Sequence, residues 1–246
     1  MSEFKMFFSV IIPTSNEQKY IGKLLNSLKK QTFKDFEVII VDANSKDKTK
    51  SIAYKFKNCF KKFKFIVEKR KGVSLARNVG AKASKGDVLV FFDSDGETDP
   101  NFFEIAAKQI KKRKIDTSGC YVKPITQNIA IKQFFVLYNF WIFLSQYFYP
   151  HMPGFCIFCD RKTFFKLGGF DETILLAEDF DLVNRSKKVG KFRVLNKIRI
   201  KSSMRRFEEE GTWKLTTKYM NVFFYRIFKG EVRTDKFKYG LGYHKK

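Results

Sequence analysis

The chain has 246 residues, 44% hydrophobic and 17% aromatic with 30 Phe, and a formal net charge of +24. A chain this long and apolar can offset the entropy of ordering its backbone, which excludes a disordered tail and leaves room for one large domain. The charge points to polyanions, acidic headgroups or phosphorylated substrates as partners without choosing among them.

Residues 7–12 read as a strand, and residues 20–31 as a helix with Ile21, Leu24, Leu25 and Leu28 on one face. A strand at 36–41 ends in Asp42, and a helix at 48–57 is entered through Asn44, Ser45 and Asp47. Strand, helix and strand continue at 63–67, 73–83 and 87–92. Their near-continuous Val, Ile and Phe runs suit strands covered on both faces, and the alternation predicts a parallel α/β sheet. The second half is less regular. It predicts a helix at 102–112 running into basic residues 111–114, a strand at 117–122, an aromatic helix at 131–149 and a strand at 154–160. Gly168 and Gly169 break the chain before a helix starting near Glu178. Residues 194–200 read as one or two edge strands and 211–228 as a last helix. No linker or repeat intervenes, so one domain is expected.

Four cysteines (Cys59, Cys120, Cys156, Cys159) are too scattered for a disulfide framework. Cys156 and Cys159 lack the second pair that a four-ligand zinc site needs, and buried thiols in a reducing, cytoplasmic setting are expected. The first residues carry no signal-peptide pattern. Residues 133–150 are uncharged but contain Asn139, Ser145 and Gln146 and fall short of the roughly 20 apolar residues of a span.

In open α/β sheets, ligands bind beyond the carboxyl ends of the strands. Polar residues gather there: Pro13, Thr14, Asn16 and Glu17 after the first strand, Asp42, Asn44 and Ser45 after the second, and Asp93, Ser94 and Asp95 after the fourth. Helix capping explains one such cluster but not three in succession. Neither GxGxxG after a strand nor GxxxxGK[ST] occurs, so a phosphorylated ligand needs another device. Asp93-Ser94-Asp95 offers one, since paired carboxylates hold a hard divalent cation and leave positions for phosphate oxygens. A solvated acidic turn is its plainer reading. Similarly, Asp179 and Asp181 in Glu178-Asp179-Phe180-Asp181 are either helix-start carboxylates favoured by the dipole or a general base. His151, ahead of Met152-Pro153-Gly154, is a metal ligand or a structural ring, and His244 lies in a Lys-rich tail.

Taken together these segments resemble the inverting family 2 glycosyltransferases of GT-A fold. The resemblance runs over roughly residues 7–215 in the family's order: SVIIPTSNEQKYIGKLLNSLKKQTFKDFEVIIVDANSKDKT, GVSLARNVGAKASKGDVLVFFDSD and GGFDETILLAEDFDLVNRSKKVG. It implies a Rossmann-like, mostly parallel sheet flanked by helices. A nucleotide-binding half would span 1–100, an acceptor-side half 101–200, and a helical, basic extension 201–246. By the same resemblance Pro13, Thr14 and Glu17 would line the base and ribose pocket, and Asp42 would hydrogen-bond the nucleobase. Arg77 would lie beside base or phosphate, and Ser94 between the two aspartates of the DxD motif. Asp93 would contact ribose or metal, Asp95 would bind Mn2+ or Mg2+, and Asp179 would be the base. The implied reaction moves one sugar from a nucleotide-diphospho-sugar, UDP-linked by family preference, to a hydroxyl of a glycan or lipid-linked acceptor.

There are departures. The QxxRW motif of processive synthases is absent, and the comparable region holds Arg205 and Arg206, either closing over the diphosphate or forming a solvated turn. A polyprenyl-phosphate sugar synthase would lack the GGFDE…ED segment, because a phosphate acceptor needs no base. Residues 134–149 contain nine aromatics in sixteen. Such a helix belongs in a core, a homodimer contact or a lipid interface, and the basic residues of 55–71 and 108–114 favour an anionic membrane surface with the protein peripheral to its cytoplasmic face. A nucleic-acid partner is not expected, since no helix-turn-helix, RNP or zinc-finger signature accompanies the charge.

Overall fold

The sheet grows outward from its first strand. In the computed structural model, which describes residues 7–237, β1 (Phe8–Thr14) runs parallel between β2 (Phe36–Asp42) and β4 (Val88–Phe92). Every residue of β2 and β4 is buried, the reason their sequences show no polar alternation. Beyond β2 lies β3 (Phe63–Val67), an edge strand with a half-exposed pattern. The chain thus moves one way from β1 through β2 to β3, then returns to the other side of β1 as β4. That reversal opens a crevice between β1 and β4. Pro13 sits at its mouth: β1 and β4 pair as far as Ile11–Phe91, while β1 and β2 stay paired to Thr14–Asp42. A proline fits where one neighbouring strand has already departed.

The full order is β3-β2-β1-β4-β7-β6-β8-β5, completed by β7 (Cys156–Asp160), β6 (Thr117–Ile125), β8 (Leu195–Ser203) and β5 (Gly96–Glu97). An all-parallel sheet does not form, because β7 runs antiparallel to both β4 and β6, and β5 antiparallel to β8. Nor is β8 an edge: β6 and the two-residue β5 flank it.

Helices cover both faces. On one lie α1 (Ile21–Lys29) and α4 (Phe102–Arg113), with Leu24, Leu25, Leu28, Phe103 and Ala106 in the larger core. On the other lie α3 (Val73–Ala83), α6 (Arg161–Lys166) and α7 (Glu178–Val189), with Ala81, Phe164, Leu182 and Val183 in a second core. The short α2 (Thr49–Tyr54) packs beside α1. Cys156 belongs to the first core and Cys159 to the second, so the CxxC pair points to opposite sides of β7 and cannot share a metal. Cys120 is buried as expected, whereas Cys59 is exposed.

The aromatic helix α5 (Ile129–Ser145) contributes Ile131 and Phe135 to the first core and Ile142 to the second. It therefore crosses the end of the sheet with one side buried. It begins at the Asn128 cap, whose side chain accepts from Ala130 and Ile131, and stops where Phe148 and Tyr149 turn back onto the Ser145 carbonyl. The chain closes with α8 (Arg205–Glu210) and α9 (Thr212–Lys229). His244 lies outside the described residues, as does the end of the expected C-terminal extension.

Candidate active site

Strands β1, β2, β4, β6 and β8 share a direction, so their carboxyl ends open on one side of the sheet. The first wall comes from β1 and β2. Asp42 Oδ1 accepts from Thr14 Oγ1 (2.8 Å) and Ser45 Oγ (2.6 Å), and its Oδ2 from the Ser45 backbone N–H (2.8 Å). A carboxylate offers about four acceptor positions, so one on Oδ2 is left for a ligand. Asn16 and Asn44 take positive φ, a conformation Asn tolerates better than most residues, which aims the two loops at each other. Ser45 is thus wired to Asp42, while Asp47 accepts from Thr49 and Gln18 and fixes the start of α2.

At the end of β4 the acidic turn is joined to cations from distant segments. Arg77 is buried on α3, donating from Nη1 to Glu178 (2.6 Å) and from Nη2 to Asp93 (3.0 Å), with Phe170 beneath its guanidinium. Arg205 makes a two-pronged pair with Glu17 (3.0 and 2.8 Å), lies 3.5 Å from Asp95 and stacks over Tyr20. It is therefore no solvated turn. Arg206 follows it, half-buried on α8, and Ser94 is buried between the aspartates.

Loss of hydration pushes Asp95 up to about 7, with the Asp93 charge adding to the effect and Arg205 opposing it. Asp93 is raised too, by loss of hydration against the pull of Arg77. Among the described residues no group of three or more His, Cys, Asp or Glu side chains is set to hold a metal. The Asp93–Asp95 pair still fits a hard divalent cation, since its donors are all oxygens and the ion's other positions can go to phosphate or water.

Opposite stands the start of α7. Ala177 precedes it with φ 67°, a strained value for a residue with a Cβ, and no side chain caps the helix. Asp179 is pushed up to about 7, first by lost hydration and then by Glu178, with Arg77 and Arg226 pulling the other way. Asp181 is engaged elsewhere: it pairs with Arg185, which also donates to the carbonyls of Leu167 and Gly169. Asp181 thus braces the glycine loop, while Asp179 Oδ1 accepts from the Phe180 backbone N–H and its Oδ2 lies beside Gly154. Gly154 separates Asp179 from Arg77; a Cβ there would stand 2.8 Å from Arg77 Nη2 and 3.1 Å from Asp179 Oδ2.

Several contributors escape sequence reasoning. Asn78 clamps the glycine loop, exchanging hydrogen bonds with the Phe170 backbone and donating to Glu172. Its presence beside Arg77 in Ala76-Arg77-Asn78 is the signal that was available. Arg226 sits on the buried side of α9, paired with Glu231 and over Phe180, and nothing in its helix marks it. His151 stacks on Phe180 at 4.0 Å, and burial holds its imidazole down to about 3, so it is a neutral structural ring.

The family model for Glycosyl transferase family 2 matches residues 9–160. Chondroitin synthase of Escherichia coli is 30% identical over 206 residues, covering 77% of this chain and 28% of that protein. Poly(ribitol-phosphate) beta-N-acetylglucosaminyltransferase TarS of Staphylococcus aureus (strain Mu50) is 40% identical over 114 residues, covering 45% of this chain and 20% of that one. The chain thus spans under a third of the length of either relative. A crystal structure of S. aureus TarS 1-349 in complex with UDP matches with a TM-score of 0.68 and 26% identity, over 81% of this chain and 61% of that chain. Mannosyltransferase PcManGT from Pyrobaculum calidifontis, in complex with GDP-Man and Mn2+, shares the fold with a TM-score of 0.75 and 20% identity, over 93% of this chain and 66% of that one.

Proposed function

The chain belongs to glycosyl transferase family 2, and on that footing we propose that it transfers one sugar from a nucleotide-diphospho-sugar to an acceptor hydroxyl with inversion. Its fold is of the GT-A type, as in both solved relatives. One observation carries the reading. A carboxylate pair balanced by buried Arg77 and half-buried Arg205 faces, across Gly154, a separate carboxylate held near neutrality.

In this reading Pro13, Thr14 and Asp42 form the nucleoside wall, the free acceptor position of Asp42 taking a nucleobase N–H. Glu17 and Arg205 close the ribose and diphosphate side. Asp93 and Asp95 are the residues that would hold Mn2+ or Mg2+, which when bound offsets charge developing on the departing diphosphate. Asp179 accepts the acceptor's hydroxyl proton while that oxygen attacks the anomeric carbon. The bond from that carbon to the diphosphate oxygen breaks in the same displacement. A base with a value near 7 is half-ionised at neutral pH and strong enough to matter. Arg77, touching both Asp93 and Glu178, keeps the two sides in register. A phosphate acceptor would need no such base, so a hydroxyl acceptor on a glycan or a lipid-linked glycan is favoured.

Calorimetric titration with UDP and with GDP, each with manganese and with chelator, tests the donor side. Metal-dependent binding of one nucleotide, abolished by Asp95→Ala and preserved by Asp179→Asn, is the expected result. Binding of neither nucleotide would overturn the reading.

A further inference from the structure

The outer sides of α5 and α9 repeat one pattern. On α5, Val136, Phe140 and Phe143 are exposed at spacing i, i+4, i+7; on α9, Met220, Phe224 and Ile227 are exposed at the same spacing. One turn-pair earlier, at i−7, each helix carries a further exposed residue, Ile129 (69%) and Trp213 (81%). At 100° per residue each set falls within an arc of about 60°, so each helix shows solvent an apolar stripe. The stripes adjoin. Trp141 borders the α5 stripe, Phe223 borders the α9 stripe, and their rings meet edge-on at 6.0 Å. The result is one apolar surface across two helices. Soluble chains rarely leave such a patch bare.

Cations lie on the same two helices and at the end of α5. Lys132, Lys214 and Lys229 are exposed on the two helices, and at the end of α5 Arg193 lies over the Tyr147 ring while Lys187 holds the carbonyls of Tyr147 and Phe148. Of the basic segments noted in the sequence, residues 55–71 border β3, at the far end of the strand order from α5, and take no part. Among the described residues no helix is long and apolar enough to cross a membrane.

We propose that the joined α5–α9 face docks on an anionic lipid leaflet, its aromatic and aliphatic side chains entering the interface and its lysine and arginine side chains meeting the headgroups. An amphipathic surface of aromatics accompanied by cations suits that boundary. A second copy suits it less, because two such faces on molecules of net charge +24 would repel. The inner sides of the same helices carry Arg226, over the ring of Phe180 on α7, and Tyr138, edge-on to His151, which itself stacks on Phe180 beside Asp179. Docking would therefore bring the start of α7 close to the leaflet and favour an acceptor anchored in it. That last step rests on the functional reading above; the docking does not.

Flotation of the full chain tests it, with vesicles of phosphatidylcholine alone and with about 30 mol per cent phosphatidylglycerol. Binding to the anionic vesicles is expected, reduced at least about tenfold in Phe140→Ser/Phe224→Ser. In a Trp141→Phe background, Trp213 is the remaining tryptophan, and its emission should shift to the blue on anionic vesicles. Failure of the wild-type chain to float, or an unchanged Trp213 spectrum, overturns the proposal. So does a dimer in sedimentation that the same double substitution dissolves, which would assign the face to a second copy. Nucleotide titration alongside flotation of the wild-type chain separates the two readings: UDP or GDP binding without flotation leaves the enzyme reading standing, and flotation without binding of either nucleotide leaves only the docking.

Discussion

The two walls of the crevice are built differently. On the β1–β2 side the polar contacts join neighbouring loops: Thr14 to Asp42, Asn16 to Ser45, Glu17 to Thr49. On the α7 side they join distant segments, Arg77 to Glu178 across 101 residues and Asn78 to Phe170 across 92. The first wall carries its partners with its own strands, the Arg205 guanidinium on Glu17 excepted. The second has its geometry imposed from elsewhere. Substitutions on the two sides should therefore fail in different ways, the first in nucleotide affinity and the second in turnover or folding.

The largest separation is expected at Asp179. Asp179→Asn should lower kcat by about 10²–10⁴, the range for loss of a general base, with nucleotide affinity unchanged. Parallel losses of affinity and turnover would place it on the donor side instead. Next comes Arg77, which ties the acidic turn after β4 to the start of α7. Arg77→Met leaves Glu178 and Asp93 without their buried cation, and should lower unfolding free energy by about 3–5 kcal/mol in a denaturant titration. Asn78→Ala strands the Phe170 backbone groups and should cost about 1–3 kcal/mol, read as a lower thermal midpoint with UDP affinity intact.

The smallest effect is one of pH. Asp95 is raised in the folded chain, from 3.8 to about 7, so its ionisation is easier in the unfolded state. Its contribution to stability is full below about pH 4 and is lost as pH rises through about 7. Without metal, Asp95→Asn should therefore melt higher than wild type at pH 8, with the difference fading toward pH 4. Manganese should reverse the order. For Asp179 the same direction of shift predicts that kcat climbs on its acidic limb toward pH 7, where the carboxylate becomes the available form.

How much could be read beforehand follows the same division. Strand β3 and helix α3 match expectation residue for residue, because four apolar residues around Lys64 and a 3.6-residue period specify them locally. The two-residue β5 and the six-residue α6 and α8 are too short to display a period, and all three went unpredicted. The antiparallel course of β7 leaves no trace in Cys156–Asp160, since a strand buried on both faces reads the same in either direction. Of the site, the strand-end clusters were visible in composition alone, but the choice between capping and catalysis for Asp179 and Asp181 was not. What distinguishes the two side chains is Arg185, four residues after Asp181, which engages that carboxylate and not Asp179. Arg205 and Glu17, 188 residues apart, were each visible but not as partners.

That last pair has a consequence for how the protein is made. Glu17, Asp93 and Asp95 leave the ribosome long before Arg205, and until it arrives Glu17 and Asp95 lack their guanidinium. The cleft side that holds Glu17 and Asp95 therefore stays electrostatically incomplete until the segment after β8 arrives. A contact of such long sequence separation closes slowly and late. Chains interrupted before α8 would carry an acidic cleft without that counter-charge, a difference that a protease probing newly made protein could detect.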